Sequence, residues 1–279
     1  MAGRLAAAGH DVTVQNRTRS TAQAVADRHG ARVAGTAREA ASRADVVLVS
    51  LTDDEAVRAT YRGPDGLVAG LRPGQVVADT STVDPETVRA MGQDVAAAGA
   101  ALVDTPVSGS VSTVEAGTLL VMAGGDEAAL DRARPALEAF ASRVVYLGPL
   151  GAGATMKLAV NAMVHALNGA LSEALVLAEK AGIDRTVAYE VIGASAVAAP
   201  FVAYKREAFL HPEDAPVAFA LDLVAKDLAL AQALAARVGA PMPQLVANRA
   251  VVDRAVQAGL GDADLSALAT LLRGVDPPL

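Results

Sequence analysis

The chain has 279 residues, 52% of them apolar and 20% charged, which is material for one large hydrophobic core or two smaller ones. A formal net charge of -7 provides no broad basic surface, which argues against nucleic acid and anionic membranes as partners. With no cysteine and only four histidines, His10, His29, His165 and His211, at spacings that suit no metal, disulfides, thiolate chemistry and a metal enzyme drop out as well.

Residues 1–9 read as the inside of a helix that stops at Gly9, too short and too quickly followed by a strand to be a secretory signal, so a cytoplasmic protein is expected. Strand-like runs follow at 11–15, 45–51, 75–79, 101–107, 118–123 and 143–147, with helical patterns between most of them. Continuous apolar runs such as Val46-Val-Leu-Val-Ser-Leu51 suit strands covered on both faces by helices. After residue 151 the strands cease, and helices are separated by breaks at Gly182, near Pro212 and Pro216, at Pro241 and Pro243, and at 259–261. Asp184 is the expected N-cap of a helix over 185–192, and Asp264 that of a last helix running to about 273. The segment 160–178 is very apolar, but Asn161, His165, Asn168 and Glu173 interrupt it, so a buried helix is expected and not a membrane span. The fold class that results is α/β: a doubly wound, Rossmann-type parallel sheet, here without the first strand and glycine-rich turn that normally open it, then an all-helical C-terminal domain. The expected division is 1–150 and 151–279.

Lys157 and Asn161 stand four residues apart at the start of the helix that follows the last strand, which puts an amine and an amide on one helix face. Gly148, Gly151 and Gly153 just before them imitate a phosphate loop, but Met156 occupies the place of its third glycine and no strand ending in an acid follows, so the run is expected to be a hinge. At the end of the first strand-like run stand Asn16, Arg17 and Thr18. A ribose-chelating acid is missing there, and an arginine suits a 2′-phosphate, which favours NADP over NAD, although a solvated loop arginine has the same appearance.

Five segments in order, Gly9-His-Asp-Val-Thr-Val-Gln-Asn-Arg-Thr18, Asp79-Thr-Ser-Thr-Val-Asp-Pro85, Asp104-Thr-Pro-Val-Ser-Gly-Ser110 with Gly117-Thr-Leu119, the Lys157 run, and Ala225-Lys-Asp-Leu228 with Gly261-Asp-Ala-Asp-Leu-Ser-Ala-Leu268, resemble the β-hydroxyacid dehydrogenase family, typified by 3-hydroxyisobutyrate dehydrogenase and tartronate semialdehyde reductase. The resemblance spans the whole chain. It implies hydride transfer between NADP (or NAD) and a small 3-hydroxy acid or its semialdehyde, with Lys157 as the catalytic lysine. Ser108 and Gly109 would hold the substrate carboxylate, Asn161 would bind substrate or position the lysine, and Lys226 would reach cofactor and substrate. Asn16, Arg17, Thr18, Leu51 and Thr82 would contact the cofactor. Each has a plainer reading: turn chemistry for Ser108, a helix N-cap for Thr82, core for Leu51, a solvated ion pair for Lys226 with Asp227, and caps for Asp262 and Asp264. A lysine titrates near 10.4 when unperturbed, so a proton-transferring Lys157 needs its pKa lowered, and Lys226 is the expected source of the repelling charge. A protonated lysine together with Arg17 suggests carbonyl reduction by NADPH. The same scaffold occurs in imine reductases, which usually carry another residue at the lysine position, and in 6-phosphogluconate dehydrogenase, which expects a histidine beside Asn161 where this chain has Val160 and Ala162. A non-catalytic scaffold is the reading from another class, suggested by the absent glycine loop. The apolar helix after Lys157 points to a homodimer.

Overall fold

The computed structural model describes residues 1–274. Packing divides the chain into two compact units, Met1–Lys157 and Leu158–Leu279.

The first unit alternates helices and strands: α1 Ala2–Ala7, β1 Thr13–Val14, α2 Arg19–His29, β2 Arg32–Val33, α3 Ala37–Ser42, β3 Val46–Val49, α4 Asp54–Tyr61, β4 Val76–Asp79, α5 Pro85–Ala97, β5 Ala101–Asp104, β6 Val107–Ser108, α6 Val111–Ala116, β7 Leu119–Gly125, α7 Glu127–Glu138 and β8 Ala141–Tyr146. Strands β3, β4 and β5 run parallel with their ends level, so that Val49, Asp79 and Asp104 are register partners. Period-two alternation sorts their side chains. Val77 and Leu102 face a layer containing Val57, Tyr61, Met91 and Val95 of α4 and α5, whereas Val76, Ala78 and Val103 face Leu130, Leu137 and Phe140 in and just after α7. The helices start where acids cap them: Asp53 accepts from the Ala56 N–H at 2.8 Å, Asp84 from Glu86 at 2.9 Å, and Asp126 from Ala129 at 2.9 Å. Asp84, and not Thr82, therefore caps α5, which removes the plainer reading of Thr82.

The sheet departs from a uniform parallel order in two places. The run 101–107 is broken at Thr105-Pro106 into β5 and β6, both antiparallel to β7, which in turn pairs parallel with β8. Strands β1 and β2 pair only with each other, through Thr13 with Arg32 and Val14 with Val33.

Helix α8, Ala152–Lys180, begins in the first unit and continues as the opening element of the second. The second unit adds α9 Arg185–Ala194, α10 Pro200–Tyr204, α11 Arg206–Leu210, α12 Leu221–Val238, α13 Pro243–Ala255 and α14 Ala267–Arg273 around one core that includes Leu171, Leu175, Phe209, Leu221, Leu228 and Leu268. Asp184 caps α9 through the Thr186 and Val187 N–H groups at 2.9 and 3.2 Å. Asp264 does something other than cap α14, whose N-cap is Ser266. Its carboxylate takes the Lys205 ammonium at 2.8 and 2.7 Å and the N–H groups of Ala218 and Phe219 at 3.0 and 3.2 Å. A buried ammonium from 59 residues away engages the acid more strongly than one helix end can. By length and composition α8 is also the one described helix able to cross a membrane. Its polar residues Asn161, His165, Asn168 and Ser172 are buried, as in the core helix of a globular unit.

Candidate active site

In the first unit the residues of interest gather at the carboxyl ends of the strands, the edge at which open α/β sheets bind ligands. Beyond β1, Asn16, Arg17 and Thr18 are exposed. The Thr18 N–H donates to Asn16 Oδ1 at 2.8 Å, and Thr18 heads α2 without a side-chain cap, so the first-turn donors of an 11-residue helix stand next to Arg17. A guanidinium beside uncapped helix N–H groups is a donor set that fits a phosphate ester.

At the ends of β3 and β4 a relay of hydrogen bonds sets the backbone. The Tyr61 hydroxyl donates to Asp79 Oδ2 at 2.7 Å, the Ser81 N–H to Asp79 Oδ1 at 2.8 Å, and the Leu51 N–H to Ser81 Oγ at 2.9 Å. Leu51 is thus held, through Ser81, by one buried acid to which the sequence reading gave no role, and the half-buried Thr82 follows Ser81 directly. Burial pushes the Asp79 carboxyl above its ordinary range, against the bonds from Ser81 and Tyr61, and pushes the Tyr61 hydroxyl well above its own.

Ser108 ends β6 and Gly109 follows with φ 142°. A Cβ on Gly109 would lie 2.3 Å from Thr113 Oγ1 and 2.5 Å from Leu119 Cδ2, so both the backbone angle and the space demand glycine. The glycines near Lys157 belong to a fastened helix start: the Gly151 and Ala154 N–H groups both donate to the Asp104 carboxylate. Lys157 follows, half-buried, three residues after Ala154 on α8.

In the second unit, Asn161, His165, Asn168 and Ser172 line one side of α8 at helical spacing, all at most 5% exposed. Asn161 Nδ2 donates to Asp227 Oδ2 at 2.5 Å, Lys226 Nζ lies 3.1 Å from Asp227 Oδ1, and His165 Nε2 lies 3.8 Å from Asp227 Oδ2. The His165 ring also packs against Phe219, with centroids 5.6 Å apart. Burial alone would raise Asp227, but the His165 ring, the Lys226 charge and the Asn161 amide together hold it below the usual carboxylate range. Lys226 is therefore paired with its own chain neighbour. Asp227 was named in the sequence as a solvated partner of Lys226, and His165 only as an interruption of an apolar run. Among the described residues no group of three His, Cys, Asp or Glu is arranged to hold a metal ion.

Two family profiles match consecutive parts of the chain: the NAD binding domain of 6-phosphogluconate dehydrogenase over residues 1–148, and the NAD-binding domain of NADP-dependent 3-hydroxyisobutyrate dehydrogenase over 151–272. Glyoxylate/succinic semialdehyde reductase 2 of Arabidopsis thaliana, a chloroplastic protein, is 32% identical over 98% of this chain and 76% of its own length. Among solved structures, 3-hydroxyisobutyrate dehydrogenase of Mycobacterium tuberculosis with L-serine is similar at 32% identity and a TM-score of 0.83, covering 98% of this chain and 94% of that one. Psf3 in complex with NADP+ and 2-OPP is similar at 27% identity and a TM-score of 0.88, over 97% of this chain and 95% of that one. The chain belongs to the β-hydroxyacid dehydrogenase family, NAD(P)-dependent oxidoreductases that act on CH–OH groups.

Proposed function

We propose that this protein is a cytoplasmic, homodimeric reductase that converts a small carboxylate-bearing semialdehyde or keto acid to the hydroxy acid with NADPH, Lys157 giving the proton. The observation that carries the reading is the pair Lys157 and Asn161 at helical spacing on α8, with the Asn161 amide nitrogen committed to Asp227 at 2.5 Å. That bond turns the Asn161 carbonyl oxygen toward other donors, which suits it to accept from an ammonium or a hydroxyl. The bound cofactor supplies a hydride to the carbonyl carbon. The Lys157 ammonium gives its proton to the carbonyl oxygen as the C=O π bond becomes the O–H bond, and solvent returns a proton to the amine. Ser108 and the Gly109 backbone hold the substrate carboxylate, and Lys226, tethered to Asp227, adds a cation toward cofactor and substrate. Leu51 and Thr82 would contact the nicotinamide half, and Asn16, Arg17 and Thr18 would hold the 2′-phosphate. Exposed Met156, Met163 and Leu177 along α8 support the dimer, which sedimentation of the purified protein checks.

The test is NADPH oxidation with glyoxylate, succinic semialdehyde, their uncharged aldehyde counterparts and a cyclic imine. Turnover is expected with the carboxylate-bearing carbonyls alone, and efficient reduction of the imine instead would overturn the proposal. Arg17→Ala is expected to weaken NADPH binding by roughly 10- to 100-fold, the worth of a charge-assisted contact, and to leave NADH binding nearly unchanged. Equal losses for both cofactors in a fluorescence titration would remove Arg17 from phosphate recognition.

A further inference from the structure

Asp104 lies at the end of β5 and is 1% exposed, yet no reacting group is assigned to it. Its two oxygens bracket the first turn of α8: Oδ1 accepts from the Gly151 N–H at 2.9 Å and Oδ2 from the Ala154 N–H at 2.7 Å. The joint has no spare volume. A Cβ on Gly153 would lie 2.4 Å from the Met122 carbonyl oxygen and 2.9 Å from both Asp104 O and Oδ2. A Cβ on Gly124 would lie 2.6 Å from Asp104 Oδ1 and 2.9 Å from Gly153 N and Pro149 O. Those glycines let the helix start press directly onto β5 and β7, and the carboxylate then fixes its rotation as well as its height.

An acid is an expensive way to fill this position. Burial pushes its carboxyl above the ordinary range in spite of the backbone N–H groups aimed at it, and Asp79 stands beside it in register on β4. An apolar residue would escape that penalty but leave two helix N–H groups buried without acceptors. What the acid supplies is a defined geometry. Lys157 comes less than one helical turn after Ala154, and Ser108 comes four residues after Asp104 on the broken strand. One carboxylate therefore anchors the roots of both segments.

We infer that Asp104 is a positioning residue, a clamp that sets the Lys157 ammonium relative to the Ser108 segment by fastening the start of α8 to the end of β5. The inference rests on the reductase reading above. Asp104→Asn keeps the size but turns an amide N–H2 toward one of the two helix donors. Gly153→Ala keeps the charge and lifts the helix start by steric contact. In each, kcat is expected to fall about 10- to 100-fold, the usual cost of misplacing a reacting group by about 1 Å, with the cofactor Kd within about two-fold of the parent. The solvent deuterium isotope effect on kcat is expected to rise, because proton delivery from a displaced lysine becomes slower. Loss of folded enzyme would scale the rate and leave the isotope effect where it was. If Asp104→Asn fails to fold, Gly153→Ala decides. A folded variant that turns over like the parent, or a fall in kcat with an unchanged isotope effect, overturns the clamp. A parent without reductase activity, or a fully active Lys157→Met protein, defeats the reductase reading instead.

Discussion

Lys157→Met is expected to lower kcat by about a thousandfold while cofactor affinity stays near that of the parent. Methionine keeps the length and apolar stem of the side chain and removes only the ammonium, so α8 has no reason to move. A positioned general acid contributes on the order of 100- to 10,000-fold, and a thousandfold loss corresponds to about 4 kcal/mol of transition-state stabilisation. Steady-state kinetics with a carboxylate-bearing aldehyde, beside a fluorescence titration of NADPH, separates the two quantities. Retention of more than about a tenth of the parent kcat would exclude Lys157 as the proton source, since so small a loss lies below the range of general acid catalysis. Joint loss of cofactor binding would make it a binding residue.

Lys205→Met should be the most damaging substitution for stability, at about 3–5 kcal/mol, because it leaves a buried carboxylate without its counter-ion. Lys205 is 3% exposed and Asp264 8%, and the Asp264 carboxylate also gathers the Ala218, Phe219 and Ser266 N–H groups, so the loss spreads into the segment that leads to α12. The sign of the pH dependence distinguishes this from simple loss of packing. Burial alone would raise Asp264, but the Lys205 ammonium and the backbone donors hold it below the ordinary carboxylate value. Its stabilising share is therefore present above the unfolded-state value and is lost as pH falls through the folded one. Without Lys205, burial is less opposed, the folded value rises, and the penalty is relieved by protonation. The gap in unfolding free energy between parent and variant should thus narrow as pH is lowered from neutrality into the carboxylate range. Urea titrations at several pH values measure it, and a gap independent of pH would mean the ammonium acts only by filling space.

Local pattern carried the sequence reading furthest where one residue's neighbours in the chain are also its neighbours in space. The apolar runs of β3 and β4, the capping acid Asp184, and the proline and glycine breaks between helices are of that kind. β2 escaped notice because two residues, Arg32 and Val33, carry no periodicity. Pro106 split a run that reads as one strand. The larger omissions are acids whose partners lie far along the chain. Asp104 meets N–H groups 47 and 50 residues later, and a backbone donor leaves no trace in side-chain identity. Asp264 stood three residues before a helix and resembled a cap, while its partner Lys205 lay in an unremarkable helical stretch. Of the candidate site, residue types and the Lys157 and Asn161 spacing were legible. The Tyr61, Asp79 and Ser81 relay beneath Leu51, and the approach of Asn161 and His165 to Asp227, needed three dimensions.

The buried acids of the two units have opposite proton linkage. In the first unit Asp79 and Asp104 are raised by burial, so folding takes up protons in the interval above the unfolded carboxylate value. In the second, Asp227 and Asp264 are lowered by their partners in spite of burial, so folding releases protons in the interval below it. Mild acid relieves a cost in the sheet unit before it begins to withdraw support from the helical one. The contribution of these acids to the pH dependence of stability therefore has opposite signs in the two units.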